Sequence, residues 1–177
     1  TLIDIALGAD SVNPAELTAA DGYVVFRANN GTLGDEIWKS DGTPGGTTMI
    51  RDINIVSDGN GGTDSSNPFG MTAMGSQVLF GASDGTGAEP WITDGTSNGT
   101  RKIKDINPYG ASMNQPYQDS ADSIKSLFSV TASSARAFFF ANDDEHGEEL
   151  WATDGTESGT YLVKDIVPGE NSNSIYQ

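Results

Sequence analysis

The sequence predicts an all-β domain made of three pseudo-repeats, each of which is a meander of four short strands. Three observations lead to this prediction. A motif recurs around each of the three tryptophans, Trp38, Trp91 and Trp151. Short runs of β-branched and aromatic residues alternate with turn residues, and almost no stretch sustains the 3.6-residue period of a helix. A motif that returns along the chain in this way is typical of repeat architectures.

The first two strands of each unit are apolar runs bounded by turn residues. The first strand carries a Leu or Phe near a Thr, and the second carries a central Phe. We predict first strands at 16–19, 69–73 and 126–131, and second strands at 23–28, 77–82 and 136–141. The apolar residues mostly alternate with polar ones, which is typical of strands that bury one face.

The third strand contains the Trp and runs into Asp-Gly-Thr, which a second Gly-Thr follows. Asp-Gly between two apolar runs is a strong hairpin signal, because Gly adopts positive φ without steric cost. We therefore interpret Asp94 and Asp154 as turn residues and each Trp as a packing anchor between strands. The fourth strand ends in Asp-Ile at 52–53, 105–106 and 165–166, and a further copy of this ending lies at 4–5.

The units divide one domain, spanning 1–177, into repeats at about 2–53, 54–106 and 107–166, followed by a C-terminal tail. A four-stranded meander resembles one blade of a β-propeller. Three units are few for a closed propeller, so a trefoil-like barrel and a sandwich of two packed sheets are alternatives. The sequence leaves the closure of the sheets open.

The composition excludes several functional classes. With 25 acidic and 9 basic residues the formal charge is −16, so the chain lacks the basic surface that nucleic-acid binding needs. The longest purely apolar run is 137–141, far shorter than a membrane span, and there is no Cys for a disulfide framework. The excess of negative charge repels itself, and we expect cations to neutralise part of it. The chain starts at Thr1 and shows no signal peptide, so we expect a module cut from a longer protein.

The amino-acid sequence of the third repeat resembles that of a known family. Residues 149–169 read Glu-Leu-Trp-Ala-Thr-Asp-Gly-Thr-Glu-Ser-Gly-Thr-Tyr-Leu-Val-Lys-Asp-Ile-Val-Pro-Gly, similar to the ELWxxDGT repeat of large secreted bacterial proteins. The first repeat departs from the motif at Ile37, and the second departs at Pro90. Such repeats occur in giant adhesins of the repeats-in-toxin (RTX) type, which also contain calcium-dependent peptide-binding domains of about this size. The resemblance implies a secreted module displayed on the bacterial cell surface, monomeric within a longer chain, and it transfers no catalytic residue.

The residues do not predict an enzyme. His146, the one histidine, lies in an acidic turn and has no Cys partner. No nucleophile-elbow pattern surrounds any Ser, and no carboxylate pair is set apart as acid and nucleophile. A lone His and no Cys also argue against a closed zinc site.

Calcium is the cofactor that the residues favour, because Ca²⁺ prefers six to eight oxygen ligands. The segment 58–64 presents oxygen side chains at relative positions 1, 3 and 7, like the start of an EF-hand loop without its helix and closing Glu. A second acidic group lies between the second and third strands of the third repeat. The predicted calcium ligands are Asp58, Asn60, Asp64, Asp119, Asp143, Asp144 and Glu148. The alternatives are a flexible Gly-rich loop and solvated acidic turns.

Ligand contacts are expected in the connections that differ between repeats, because the shared motif builds the scaffold. The connection 107–125 is long and rich in Tyr, Asn and Gln, which are residues of adaptable recognition surfaces. The predicted ligand-binding residues are Tyr109, Asn114, Gln115, Tyr117 and Gln118. An ordered loop that packs its Tyr side chains over a sheet edge is the structural alternative.

We therefore predict a calcium-dependent adhesion module that binds a peptide or glycan on another cell's surface. The family resemblance implies short peptides as the ligand class, and we expect the peptide to be recognised at its C-terminal carboxylate. Because an acidic protein repels a carboxylate, we expect Ca²⁺ to bridge the two. A carbohydrate-binding module and a calcium-stiffened spacer without a ligand are the alternatives.

Overall fold

The computed structural model describes residues 13–59, 61–109, 128–129, 136–166 and 168. The described residues form twelve strands and no helix, which confirms the prediction of an all-β protein. In this part of the chain no helix is long and apolar enough to cross a membrane.

Three separate four-stranded antiparallel sheets contain all of these strands. The first sheet comprises β1 (Ala15–Ala20), β2 (Tyr23–Asn29), β3 (Asp35–Ser40) and β4 (Thr48–Arg51). The second comprises β5 (Phe69–Met74), β6 (Gln77–Ser83), β7 (Ala88–Thr93) and β8 (Arg101–Lys102). The third comprises β9 (Phe128–Ser129), β10 (Ala137–Asn142), β11 (Glu148–Thr153) and β12 (Tyr161–Lys164). Neighbours in each sheet are neighbours in sequence, and the described strands do not join into one closed barrel.

The strand register places the central Phe of each second strand directly opposite the Trp of the third strand. The pairs are Phe26 with Trp38, Phe80 with Trp91 and Phe139 with Trp151. Directly opposed residues of an antiparallel pair lie on the same face of the sheet. Each sheet therefore has one face that carries a Phe–Trp pair.

The core lies between consecutive sheets. Phe80 and Trp91 of the second sheet pack with Val25 and Ile37 of the first. Leu79 and Ile92, on the opposite face of the second sheet, pack with Phe139 and Trp151 of the third. The Phe–Trp face of a sheet thus covers the sheet that precedes it in the chain. The same face of the first sheet forms a small apolar cluster of its own from Phe26, Ala28 and Trp38.

Candidate functional site

The Asp-Gly-Thr turns are held by a hydrogen-bond pattern that all three copies share. In the second copy, Asp94 Oδ1 accepts from Thr96 N at 2.9 Å and from Thr96 Oγ1 at 2.6 Å. Thr96 Oγ1 in turn accepts from Gly99 N at 3.0 Å, and Thr100 Oγ1 donates to the Thr96 carbonyl at 2.7 Å. The turns at Asp41 and Asp154 have the same bonds. The bonds from the Thr side chain and backbone lower the pKa of each Asp, so the turn retains an ionised carboxylate.

The second Gly-Thr of the motif has a structural role that the sequence did not reveal. A Cβ placed on Gly46, Gly99 or Gly159 would meet the carboxylate of the motif Asp well inside van der Waals contact. Glycine is therefore required there for close approach rather than for an unusual φ angle. The Thr that follows bonds back to the end of the third strand, as in Thr93 Oγ1 to Thr100 Oγ1 at 2.7 Å.

The motif Glu is buried and links the third strand to the end of the unit. Glu36, Glu89 and Glu149 are at most 1% exposed. Their carboxylates accept the backbone N–H of Ile53, Ile106 and Ile166 at 2.9, 2.9 and 3.1 Å. Ser66 donates two further bonds to Glu36, from N at 2.8 Å and from Oγ at 2.6 Å. Burial outweighs these bonds and raises the pKa of Glu36 to about 7.

The motif side chains are thus committed to the scaffold. The Trp side chains are buried, the Glu carboxylates bind backbone, and the Asp carboxylates close their own turns. The hairpin interpretation of Asp94 and Asp154 agrees with these contacts.

Replacing Asp154 by alanine is expected to lower the free energy of unfolding by about 1 kcal/mol, because Thr156 loses two hydrogen bonds to the turn carboxylate. Urea denaturation measures the change. Glu157→Ala in the same turn is the control, because Glu157 is exposed and takes part in the turn through its backbone carbonyl. Equal stability of the two variants would contradict a structural role for the motif Asp.

The Asp58 loop is a small hairpin in which the carboxylate of Asp58 accepts a hydrogen bond from the backbone of the same loop. Asp58 Oδ1 accepts from Gly62 N at 3.0 Å, while Asp58 N donates to the Gly62 carbonyl at 3.2 Å. Ser57 and Thr63 pair as an antiparallel bridge, and Asp64 N donates to Val56 O at 2.8 Å. Asp58 and Asp64 therefore lie at the two ends of one loop. Asn60, the third oxygen ligand predicted between them, lies outside the described residues.

The turn between β10 and β11 also uses side-chain oxygens as caps. Asn142 Oδ1 accepts from Asp144 N at 2.7 Å, and Asp143 Oδ1 accepts from the N–H groups of Glu145 and His146. Asp143 Oδ2 lies 2.8 Å from His146 Nδ1. This contact raises the pKa of His146. Partial burial raises the pKa of Asp143, but the hydrogen bonds from His146 and Glu145 outweigh it and the net shift is downward.

The described members of the predicted calcium ligands belong to two different segments of the fold. Asp58 and Asp64 follow the first sheet, whereas Asp143, Asp144 and Glu148 lie at one turn of the third sheet. Within the described ranges no three acidic or His side chains converge as a metal-binding group. Asp119 lies outside those ranges.

Of the predicted ligand-binding residues, the structure describes Tyr109. Its side chain is 89% exposed, and its backbone N–H donates to Asn107 Oδ1 at 3.0 Å. The buried Asn107 thus anchors the start of the long connection and presents Tyr109 to solvent. The other predicted residues, Asn114, Gln115, Tyr117 and Gln118, lie outside the described residues.

The comparison with family models gives no match, and neither does the comparison with curated proteins.

Proposed function

We propose that this chain is a calcium-dependent adhesion module of a secreted bacterial surface protein, with a short peptide as its ligand. The peptide's C-terminal carboxylate is recognised through Ca²⁺, and the variable connections supply the remaining contacts. The module has no catalytic role.

One observation carries the proposal. The motif side chains are bonded inside the scaffold, whereas Tyr109, outside the motif, is 89% exposed at the start of the longest connection. An exposed aromatic ring with a hydroxyl tip suits peptide recognition, because it offers an apolar face and a hydrogen bond. Binding through the variable connections is therefore the use that this scaffold leaves available.

Charge supports calcium as the intermediary. The formal charge of −16 disfavours direct contact with a peptide carboxylate. The carboxylates of three exposed residues in turn regions offer the oxygen ligands that Ca²⁺ prefers. These residues are Asp58, Asp64 and Asp144. A cation held by protein oxygens on one side can accept the ligand carboxylate on the other.

The relation between the three sheets is part of the same proposal. We infer that the three sheets are copies of one four-stranded unit, arranged like consecutive blades of a propeller. The shared turn bonds and the shared Glu-to-Ile link support this inference. The contacts between first strands support it too, because β1 packs against β5 and β5 against β9.

The binding test uses pooled random pentapeptides, prepared once as free acids and once as C-terminal amides. We expect the free-acid pool to bind in 2 mM calcium and to lose binding in EGTA, and the amide pool not to bind. Tyr109→Ala and Tyr117→Ala should each weaken binding by about tenfold, equivalent to about 1.4 kcal/mol. Tyr161→Ala is the control, since Tyr161 is 43% exposed on β12.

Equal binding of the two pools would exclude recognition of the carboxylate. If a glycan array bound in calcium while both peptide pools failed, the carbohydrate alternative would replace this proposal.

A calcium-stiffened spacer is the second candidate. Asp58 Oδ1 and Asp143 Oδ1 each cap their own turn, so both residues have a structural role that needs no ligand. Calcium that binds only the folded state raises the free energy of unfolding by about 2.7 kcal/mol when its free concentration is a hundredfold above its Kd. Under the spacer hypothesis, calcium raises the melting temperature while peptides and glycans both fail to bind. An unchanged melting temperature in calcium would exclude calcium binding in both candidates.

A further inference from the structure

Cationic side chains bridge consecutive sheets by donating to carbonyls of the Asp-Gly-Thr turns. From the first sheet, Lys39 Nζ donates to Gly95 O at 2.7 Å. From the second sheet, Arg101 Nη2 donates to Gly155 O at 2.7 Å. Gly95 and Gly155 occupy the same place in their motifs, although the two cations come from different strands. The turn carbonyl is therefore a repeated acceptor for a cation of the preceding sheet.

A second bridge comes from the same motif position in both interfaces. Arg51 Nη1 donates to Thr100 O at 2.6 Å, and Lys104 Nζ donates to Thr160 O at 3.1 Å. Both cations stand immediately before the Asp of the Asp-Ile ending. The third repeat has Lys164 at this position, at the end of β12, and it is exposed. Lys164 thus presents, on the outer side of the third sheet, the donor that the other two sheets use to hold a following sheet.

The first sheet presents the matching acceptors. Gly42 and Thr47 correspond to Gly95 and Thr100, and among the described residues no cation donates to their carbonyls. A Cβ on Gly95 would meet Tyr23 of the preceding sheet at 2.7 Å, whereas a Cβ on Gly42 would meet nothing within 4 Å.

A groove of about 410 Å³ adjoins this turn of the first sheet. Val24, Ser40 and Gly42 are among its lining residues, together with Ala20 and Tyr23. It lies at the place where, in the other two turns, side chains of a preceding sheet reach the turn glycine.

We propose that a second copy of this chain docks here head to tail, with its third sheet against the turn end of the first sheet. Lys164 of one copy donates to the Thr47 carbonyl of the other, as Arg51 and Lys104 donate within the chain. The two surfaces differ, so the contact is heterologous: it closes into a ring or continues as a filament. The monomer predicted from the sequence is the competing expectation.

The exposed turn, rather than the apolar face, carries the contact. Phe26 and Trp38 on that face are already buried, with exposed fractions of 6% and 8%. Two copies of charge −16 also repel each other at long range, so association should be weak at low ionic strength and stronger where salt screens that repulsion. A short-range bond from a cation to a carbonyl survives such screening better than long-range repulsion does.

Sedimentation equilibrium of the purified chain at 150 and 500 mM salt, up to about 1 mM protein, measures the association. We expect reversible self-association that Lys164→Glu weakens by about tenfold or more. Lys102→Glu is the control, because it makes the same charge change on the second sheet, where Lys102 pairs with Asp84 at 2.8 Å. Val24→Arg should give the same loss as Lys164→Glu by placing a cation in the groove.

The most discriminating experiment mixes the Lys164→Glu variant with the Val24→Arg variant. Lys164→Glu keeps an intact first sheet and Val24→Arg keeps an intact third sheet, so the mixture should form a one-to-one dimer although each variant alone is monomeric. Thermal melting checks that both variants fold. A wild-type chain that stays monomeric at every concentration and salt would overturn the proposal, as would a mixture that fails to associate.

Discussion

Replacing Trp91 by alanine is expected to lower the free energy of unfolding by about 3–5 kcal/mol, because truncation of a large buried aromatic leaves a cavity. Trp91 is 5% exposed and packs between the first and second sheets with Ile37 and Phe80. Because the loss falls between two sheets, it should affect the whole domain. Urea denaturation, followed by circular dichroism, measures the change.

Tyr109→Ala provides the matched control for this variant. Tyr109 is also a large aromatic, but it is 89% exposed, so its removal should change stability by less than about 0.5 kcal/mol. If the two variants unfolded at the same urea concentration, the interpretation of the motif Trp as an anchor between sheets would be wrong.

Stability should fall as the pH rises from 5 to 8, and Glu36 is the expected cause. Burial raises its pKa from 4.5 to about 7, so the folded state binds the proton more tightly than the unfolded state. The stability from this proton is complete below pH 4.5 and is lost as the pH passes through about 7. The difference between the two pKa values corresponds to about 3 kcal/mol.

The neutral form has a suitable hydrogen-bond network. A proton on Glu36 Oε2 can be donated to Ser66 Oγ, 2.6 Å away, while Ser66 donates to the Asp35 carbonyl at 3.3 Å. Ile53 N still donates to the same Oε2.

Glu36→Gln removes the titration and should therefore flatten the fall in stability between pH 5 and 8, at a constant cost of about 1–3 kcal/mol for one mismatched donor. Glu157→Gln, an exposed position, controls for the change in net charge and should keep the wild-type slope. Equal slopes in all three proteins would assign the pH dependence to general charge repulsion instead.

Much of the fold could be predicted because its signals are local. The apolar run around Phe80 and the Asp-Gly turn at Asp94 each depend on a few neighbouring residues. The role of Gly99 could not be inferred in this way, because glycine is needed there only once the carboxylate of Asp94 has folded back.

Contacts between the sheets also could not be inferred from the sequence. The bond from Arg51 to Thr100 O spans 49 residues, and nothing local to Arg51 indicates its acceptor. The buried state of Glu36 likewise depends on Ser66, thirty positions away.

The candidate site is the part of the protein for which the sequence discriminates least between uses, for a physical reason. Oxygen-rich loops suit both calcium binding and self-capping, and the sequence of 58–64 satisfies either use. In the structure Asp58 caps its own loop, and Asp143 caps the turn before β11. Tyr109 is exposed outside the motif, which is the position that the expected division between scaffold and binding residues requires of it.

Amide chemical shifts of the labelled protein, recorded during titration with calcium and then with the free-acid peptide pool, test this division most directly. We expect calcium to shift the amide resonances of the 58–64 loop, the β10–β11 turn or the 107–125 connection. We expect the peptide to shift the amide resonances of the 107–125 connection. The amides of Thr43, Thr96 and Thr156, bonded to their turn carboxylates, should stay unchanged throughout. Shifts concentrated at these three turns, or no shift with either addition, would contradict a structural motif with binding in the variable connections.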